Sequence, residues 1–251
     1  KYNFICSRTK TQNYLQALNG KINISNCSFN NNNQDIFING TGNALDVVRT
    51  INNSTFSDPT SSQYSNISIN NIYNDFDISN NTFSDIITCG INLFNCTSVN
   101  IKNNVIEGDL NSEVSHGILS YSSNGYYDCN DISKCIYGIL LDNSQPILYN
   151  NYIYVNGVGL YVTNNSYPIM SPAFLQNSTI KMAGYNQIHN NSGNEIYIKN
   201  TGIALNNLLM TDGNNLIFDD DEIDLIFMNN DGLMLPPEIV KCEDNYWGGG
   251  D

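Results

Sequence analysis

Arginine is almost missing from this chain. Only Arg8 and Arg49 occur, with eight lysines beside them, against 24 acidic residues, for a net charge of -14. A nucleic-acid backbone reader needs clustered Lys and Arg to displace counterions, and the sequence holds no such cluster, so nucleic acid is excluded as a partner. An anionic membrane surface is excluded on the same ground. No apolar run reaches the roughly 18 residues of a membrane span, which argues against membrane insertion. The chain opens Lys-Tyr-Asn-Phe without Met or an apolar secretory region, and so reads as a processed form or a fragment. Histidine is limited to His116 and His189, and no Cys-x-x-Cys or Cys/His spacing occurs among the seven cysteines, which sets aside a structural zinc site. Those cysteines read as small buried thiols rather than rung-to-rung bridges, with Cys6 and Cys27 (21 apart) as the one pair placed to be neighbours. Amphipathic runs of 3.6-residue period are also missing beyond about two turns, so helical repeats fall away.

What is abundant is asparagine, 46 residues of 251, mixed with Ile, Tyr, Phe and Val. β-Branched and aromatic residues suit pleated faces, and Asn tolerates left-handed turn geometry. This content repeats. Gly117-Ile118, Gly138-Ile139 and Gly159-Leu160 stand 21 residues apart, and Gly90-Ile91 precedes them by 27. A second ladder runs in step through Ile24–Phe29, Ile51–Phe56, Ile78–Phe83, Ile101–Ile106 and Leu148–Ile153. Each has the form aliphatic-x-Asn-polar-x-apolar or a close variant of it. Taking the last apolar residue as a marker gives Phe29, Phe56, Phe83, Ile106, Ile132, Ile153 and Ile180, at intervals of 27, 27, 23, 26, 21 and 27. Such a period means a stacked solenoid. Alternation in Ile36-Phe-Ile38, Ile67-Ser-Ile69 and Ile196-Tyr-Ile198 marks half-buried strands. Further on, Gly184–Ile188 is echoed by Gly213–Ile217, and Leu225-Ile-Phe227 takes the place of Ile196-Tyr-Ile198.

Stacking equal offsets at about 4.8 Å lets identical asparagines hydrogen-bond amide to carbonyl along the axis. The expectation is that Asn81, Asn104 and Asn151 lie over one another at a tight turn, while Ile91, Ile118, Ile139 and Leu160 stack inside one face. The expected fold is all-β, a single-stranded right-handed parallel β-helix over residues 21–230. Residues 1–20 form an N-terminal cap and 231–251 a closing segment.

The pattern Gly-Ile-x-Leu followed by Ile-x-Asn-Asn-x-Ile resembles the repeat of right-handed parallel β-helix proteins of the pectate-lyase-like superfamily. The ending Asp244–Asp251 is similar to the closing segment of β-helix domains in large secreted bacterial proteins. That fold hosts lyases, hydrolases, epimerases, adhesins and inert stalks, so the resemblance fixes shape and not chemistry. Lyases of the superfamily use a Lys or Arg base beside Ca²⁺-binding aspartates. Arg49 lies on a plausible strand, yet no aspartate cluster shares its offset, and it reads as an exposed strand residue. Polygalacturonase-like hydrolases carry Asn-Thr-Asp, Asp-Asp, Gly-His-Gly and Arg-Ile-Lys segments in order. Here Ser115-His116-Gly117 and the acidic run Asp219–Glu222 stand in the wrong order and the basic segment is missing. His116 reads as the residue opening a strand, and His189 as one of a set of polar turn residues.

Two site expectations remain. Asp219, Asp220 and Asp221 could hold Ca²⁺ through hard oxygen ligands, although the run also fits a solvated acidic turn. No other cofactor is expected. Tyr152 and Tyr154 flank Ile153 on one strand and should point outward together, where such rings stack on sugar faces or simply cover the strand. Asn-x-Ser/Thr sequons at Asn23, Asn66, Asn95 and Asn177 follow from composition alone. An ice-binding face would want equal coils and a regular Thr array, which the uneven spacing denies. The functional expectation is a secreted or cell-surface structural or adhesive protein without catalysis, partnered by an extracellular polysaccharide or a cell-surface or matrix component. The alternative is a polysaccharide-binding or polysaccharide-degrading protein.

Overall fold

The computed structural model describes residues 2–4, 7–9, 22–30, 32, 34–40, 49–57, 65–109, 111–172, 182–199, 213–218, 226–229 and 245–247. Among these, 25 short strands form three sheets in which every pairing is parallel. From Ile22 to Thr163 each turn of the chain contributes one strand to each sheet, and beyond it the described coils add strands to the second and third sheets alone. A representative coil runs Val99–Lys102 in the first sheet, Val105–Gly108 in the second and His116–Tyr121 in the third, before Gly125–Asp128 begins the next coil. The result is a right-handed parallel β-helix, as the periodicity requires. No helix among the described residues is long and apolar enough to cross a membrane.

Alternation decides what is inside. Within the third sheet, Ile67, Ile91, Ile118, Ile139, Leu160 and Ile196 pair in register and are fully buried. In the second, Phe29, Phe56, Phe83, Ile106, Ile132 and Ile153 follow one another as expected. The three Phe rings stack at centroid distances of 4.9 and 4.7 Å. Beyond Ile153 the next marker is Ile188, then Ile217, so Ile180 does not continue the column. Likewise Ile226, Phe227 and Met228, not Leu225-Ile-Phe227, pair with Ile196, Tyr197 and Ile198. A one-residue slip in a strand would turn every side chain to the opposite face. Stacking also reaches past residues 21–230. Tyr2–Phe4 pairs with Ile22–Ile24, Ser7–Thr9 with Ser28–Asn30, and Tyr246–Trp247 with Leu216-Ile217.

The recurrent glycines answer to crowding. A Cβ on Gly117 would meet the carbonyl oxygen of Gly138 at 2.5 Å and Ile132 Cγ2 at 2.6 Å. Gly138 faces Gly159 and Ile153 in the same manner. Each glycine therefore lets the next coil's isoleucine fill the interior beside it.

Three polar ladders occupy the three corners. At the first, Asn81, Asn104, Asn130, Asn151, Asn186, Asn215 and Asn245 are linked Nδ2 to Oδ1 at 2.8–3.0 Å. Each of these carbonyl oxygens also accepts a backbone N–H of the preceding coil. Asn81, Asn104 and Asn151 thus stack as the sequence implies, with Asn130 between the last two. The residue before each position from Asn81 to Asn215, and before Cys27 and Ser54 at the same corner, lies in the left-handed region, from Asn26 (φ 55°) and Asn53 (φ 49°) through Asn103 (φ 52°) to Cys129 (φ 53°) and Tyr185 (φ 56°). At the second corner Cys135, Asn156 and Asn191 continue the device, closed by the buried carboxylate of Glu195, which accepts from Asn191 Nδ2. At the third, the hydroxyls of Ser123, Ser144 and Ser166 each accept the N–H one coil earlier at 3.0 Å. Within these ladders the buried polar side chains are tolerated because they are paired.

Candidate functional site

With the interior used for packing and ladders, recognition falls to side chains that point outward. Tyr152 and Tyr154 do so together, on the second sheet either side of the fully buried Ile153. Their ring centroids are 4.5 Å apart and tilted by 46°. Parallel stacking then makes an aromatic column. Tyr154, His189 and Phe218 follow one another in register, with His189 at 16° to Tyr154 and at 5° to Phe218, 4.6 Å away. His189 is therefore a buried strand residue, not a polar turn residue: the insertion before Gly184 displaces it onto the row of Tyr154.

Faces of rings stacked this way are covered by their neighbours. Tyr152 differs. It meets His189 edge-on at 61° and 4.8 Å, and remains 37 % exposed. One coil earlier in the same row is Asp131, and one coil later Gln187. The Tyr154 hydroxyl lies beside the Ser133 hydroxyl and the Asp131 carboxylate. Partial burial, chiefly, and the nearby Glu107 hold that carboxylate above its ordinary range, against the lowering effect of the Tyr154 hydroxyl. Burial likewise raises Tyr154. Glu107 is ion-paired with Lys134 at the edge of this patch. Sequence reasoning singled out the two tyrosines but missed Asp131, Gln187 and His189. The 21-residue step from Asp131 to Tyr152 carries the first signal, whereas the 35-residue step from Tyr152 to Gln187 hides the others.

The other candidates are not brought to this patch. Arg49 opens a first-sheet strand, paired with Ile22, and is 5 % exposed; it is a buried residue, not an exposed one, because its place in the strand alternation faces inward. Burial lowers its pKa. His116 opens a third-sheet strand, as its position before Gly117 implies. Its Nδ1 lies 3.1 Å from the Thr88 carbonyl oxygen, its ring stacks on Tyr137, and burial lowers its pKa. Asp219, Asp220 and Asp221 lie outside the described residues. Among the described residues no group of three or more His, Cys, Asp or Glu is placed to hold a metal ion. Cys27 is buried, Cys89, Cys96 and Cys135 are buried free thiols, and Cys129 is a half-buried one at the first corner, accepting from Asn150 Nδ2 at 3.1 Å. Cys6 lies outside the described residues.

The geometry of a coiled parallel ladder with corner asparagines now meets the comparison with known families. The profile of the right-handed β-helix region matches residues 15–171. The chain belongs to this family. No curated protein and no solved structure matches it. Membership in the right-handed β-helix family accounts for the coils and the corner ladders, and leaves the outward rows as what distinguishes this chain.

Proposed function

We propose that this β-helix is an extracellular or cell-surface structural and adhesive element, which holds a polysaccharide or another cell-surface or matrix component without cleaving it. The observation that carries the reading is the first corner ladder, continuous from Asn81 to Asn245. It commits the buried amides to joining coils, and gives a rod whose outward rows are free to carry contacts. A basic or acidic catalytic group would have to share one face with a second group at matching offsets, since elimination and hydrolysis each need a spaced pair. The strongly acidic balance suits a salty or Ca²⁺-containing setting. A Ca²⁺ ion at Asp219, Asp220 and Asp221 is part of this proposal, tested by the thermal midpoint with Ca²⁺ and with chelator.

The deciding experiment incubates the purified chain with a panel of acidic and neutral polysaccharides, reading retention and cleavage in parallel. Retention without new chain ends is expected. Release of unsaturated or reducing sugar ends, abolished by changing Arg49, His116 or Asp220, would replace this reading with the polysaccharide-degrading one.

A further inference from the structure

Outward side chains of the second sheet form an axial row: Val105, Asp131, Tyr152, Gln187, Leu216 and Tyr246, each in register with the next. Two features separate this row from the other aromatic columns. In the third sheet, Phe94 and Tyr121 lie face to face at 5.1 Å and Tyr161 and Tyr197 at 5.0 Å, so each ring gives one face to its neighbour. Along the present row the aromatic positions are spaced out by polar and aliphatic ones. Tyr152 and Tyr246 are three coils apart, about 14 Å at the inter-strand spacing, and Tyr246 is 57 % exposed.

Between and beside the rings stand a carboxylate acceptor, Asp131, and an exposed amide that both donates and accepts, Gln187. This set matches a molecule with an apolar C–H face and hydroxyl groups at its rim. The spacing calls for an extended polymer lying along the axis, since a single sugar cannot reach both rings. Charge narrows the class further. Glu107 is ion-paired with Lys134, whereas Asp131 has no ion pair among the described residues and the whole chain carries -14. A polyuronate would bring like charge to this face, and an uncharged chain would not.

We propose that this row is a binding track for an uncharged polysaccharide, with Tyr152 as its central contact, Asp131 as the hydroxyl acceptor and Tyr246 as a second, distal contact. The proposal rests on the adhesive reading above and names its ligand class and face.

Calorimetric titration with uncharged β-glucan oligosaccharides of two and six units tests it, with hexameric oligogalacturonate and hexameric chitosan as charged comparisons. The uncharged hexamer should bind more tightly than the dimer and than the oligogalacturonate, whose like charge the acidic face repels. Tyr152→Ala should weaken hexamer binding roughly tenfold, the scale of truncating one central contact. Asp131→Asn, which keeps size and hydrogen bonding, should weaken it less. Tyr246→Ala should weaken the hexamer and leave the dimer unchanged, and Tyr185→Ala, which removes an exposed ring outside this row, should change neither. Hexamer binding unchanged by Tyr152→Ala and Tyr246→Ala overturns the track while leaving adhesion through another face intact. Preference for oligogalacturonate or chitosan overturns the uncharged class. If the unsubstituted chain is retained by no polysaccharide of the wider panel, the adhesive reading toward polysaccharides falls as well.

Discussion

Replacing Asn104 by Leu isolates what the corner ladder contributes. Its Oδ1 accepts from the Asn81 backbone N–H and from Asn81 Nδ2, both at 3.0 Å, and its Nδ2 donates to the Ile78 carbonyl and to Asn130 Oδ1, both at 3.0 Å. Asn104 and Asn81 are each 1 % exposed, so no water replaces the lost partners. Leucine would leave the Asn81 backbone N–H and one of the two Asn81 Nδ2 hydrogens unpaired, the other keeping the Ile51 carbonyl, at ~1–3 kcal/mol each. Asn130 Oδ1 keeps the Asn104 backbone N–H, 3.2 Å away, and is not orphaned. Burial of the leucine side chain gives back about 1.5–3 kcal/mol. The net expectation is a loss on the order of 2 kcal/mol. Urea unfolding by circular dichroism measures it, with hydrogen exchange at the Asn81 and Val105 amides locating it, because coils of a solenoid need not unfold as one unit. Asn103→Gly is the control: Asn103 is exposed and left-handed at φ 52°, a conformation glycine adopts freely. The ladder argument fails if Asn104→Leu shifts stability by less than about 0.5 kcal/mol, the range of ordinary surface changes, or if Asn103→Gly costs as much.

Three other outcomes follow from single residues. Val155 is a β-branched, exposed residue at φ 54°, where the neighbouring coils place Lys134 and Asn190; Val155→Asn should raise the thermal midpoint, by an amount equivalent to roughly 1 kcal/mol. Gly117→Ala should destabilise by about 1–3 kcal/mol through overpacking, and more than Gly90→Ala, whose added Cβ meets nothing closer than 3.0 Å; scanning calorimetry ranks the two. Burial pushes the Asp35 carboxyl up to about 6, against the lowering effect of amide donors Asn66 and Asn32. The folded chain then holds a proton that the unfolded chain, near pKa 3.9, has released. Stability should therefore fall as pH rises from about 4 to about 6, by on the order of 2 kcal/mol, and Asp35→Asn should flatten that slope in urea midpoints taken across the range.

Coils were legible because a parallel stack forces the same residue type onto the same offset. The Gly-Ile ladder is readable since a Cβ at Gly117 or Gly138 collides with the next coil, and the Asn ladder since an amide accepts from one coil and donates to the next at the same offset. Legibility stopped where an offset is filled by a different residue doing the same task. Cys129 and Tyr185 take the left-handed position elsewhere held by Asn, which hides Asn130 and Asn186. The serine ladder at Ser123, Ser144 and Ser166 escaped notice because serine is a common turn residue and recurs at many other offsets of this chain. At the candidate site Tyr152 and Tyr154 could be read from local alternation. Their partners one coil away could not, once the insertion stretched the step from Ile153 to Ile188.

The same geometry separates what this fold must keep from what it can vary. An inward position is fixed twice, by contact along its own sheet and by the ladder or glycine at the corner beside it. Gly138 shows this: its space is bounded by Gly159, Ile153 and Asn156 together. Outward positions are fixed only by their axial neighbours, and identical rings there tend to pair with each other, as Tyr161 and Tyr197 do. A row that interrupts its aromatics with Asp131, Gln187 and Leu216 forgoes axial ring stacking along the row, Tyr152 packing only sideways on Tyr154 and His189, and sets polar groups beside each ring instead. Stability alone does not favour such an arrangement. Contact with a ligand that spans several coils does, and that is the ground for placing recognition on this row rather than on the more continuous columns of the third sheet.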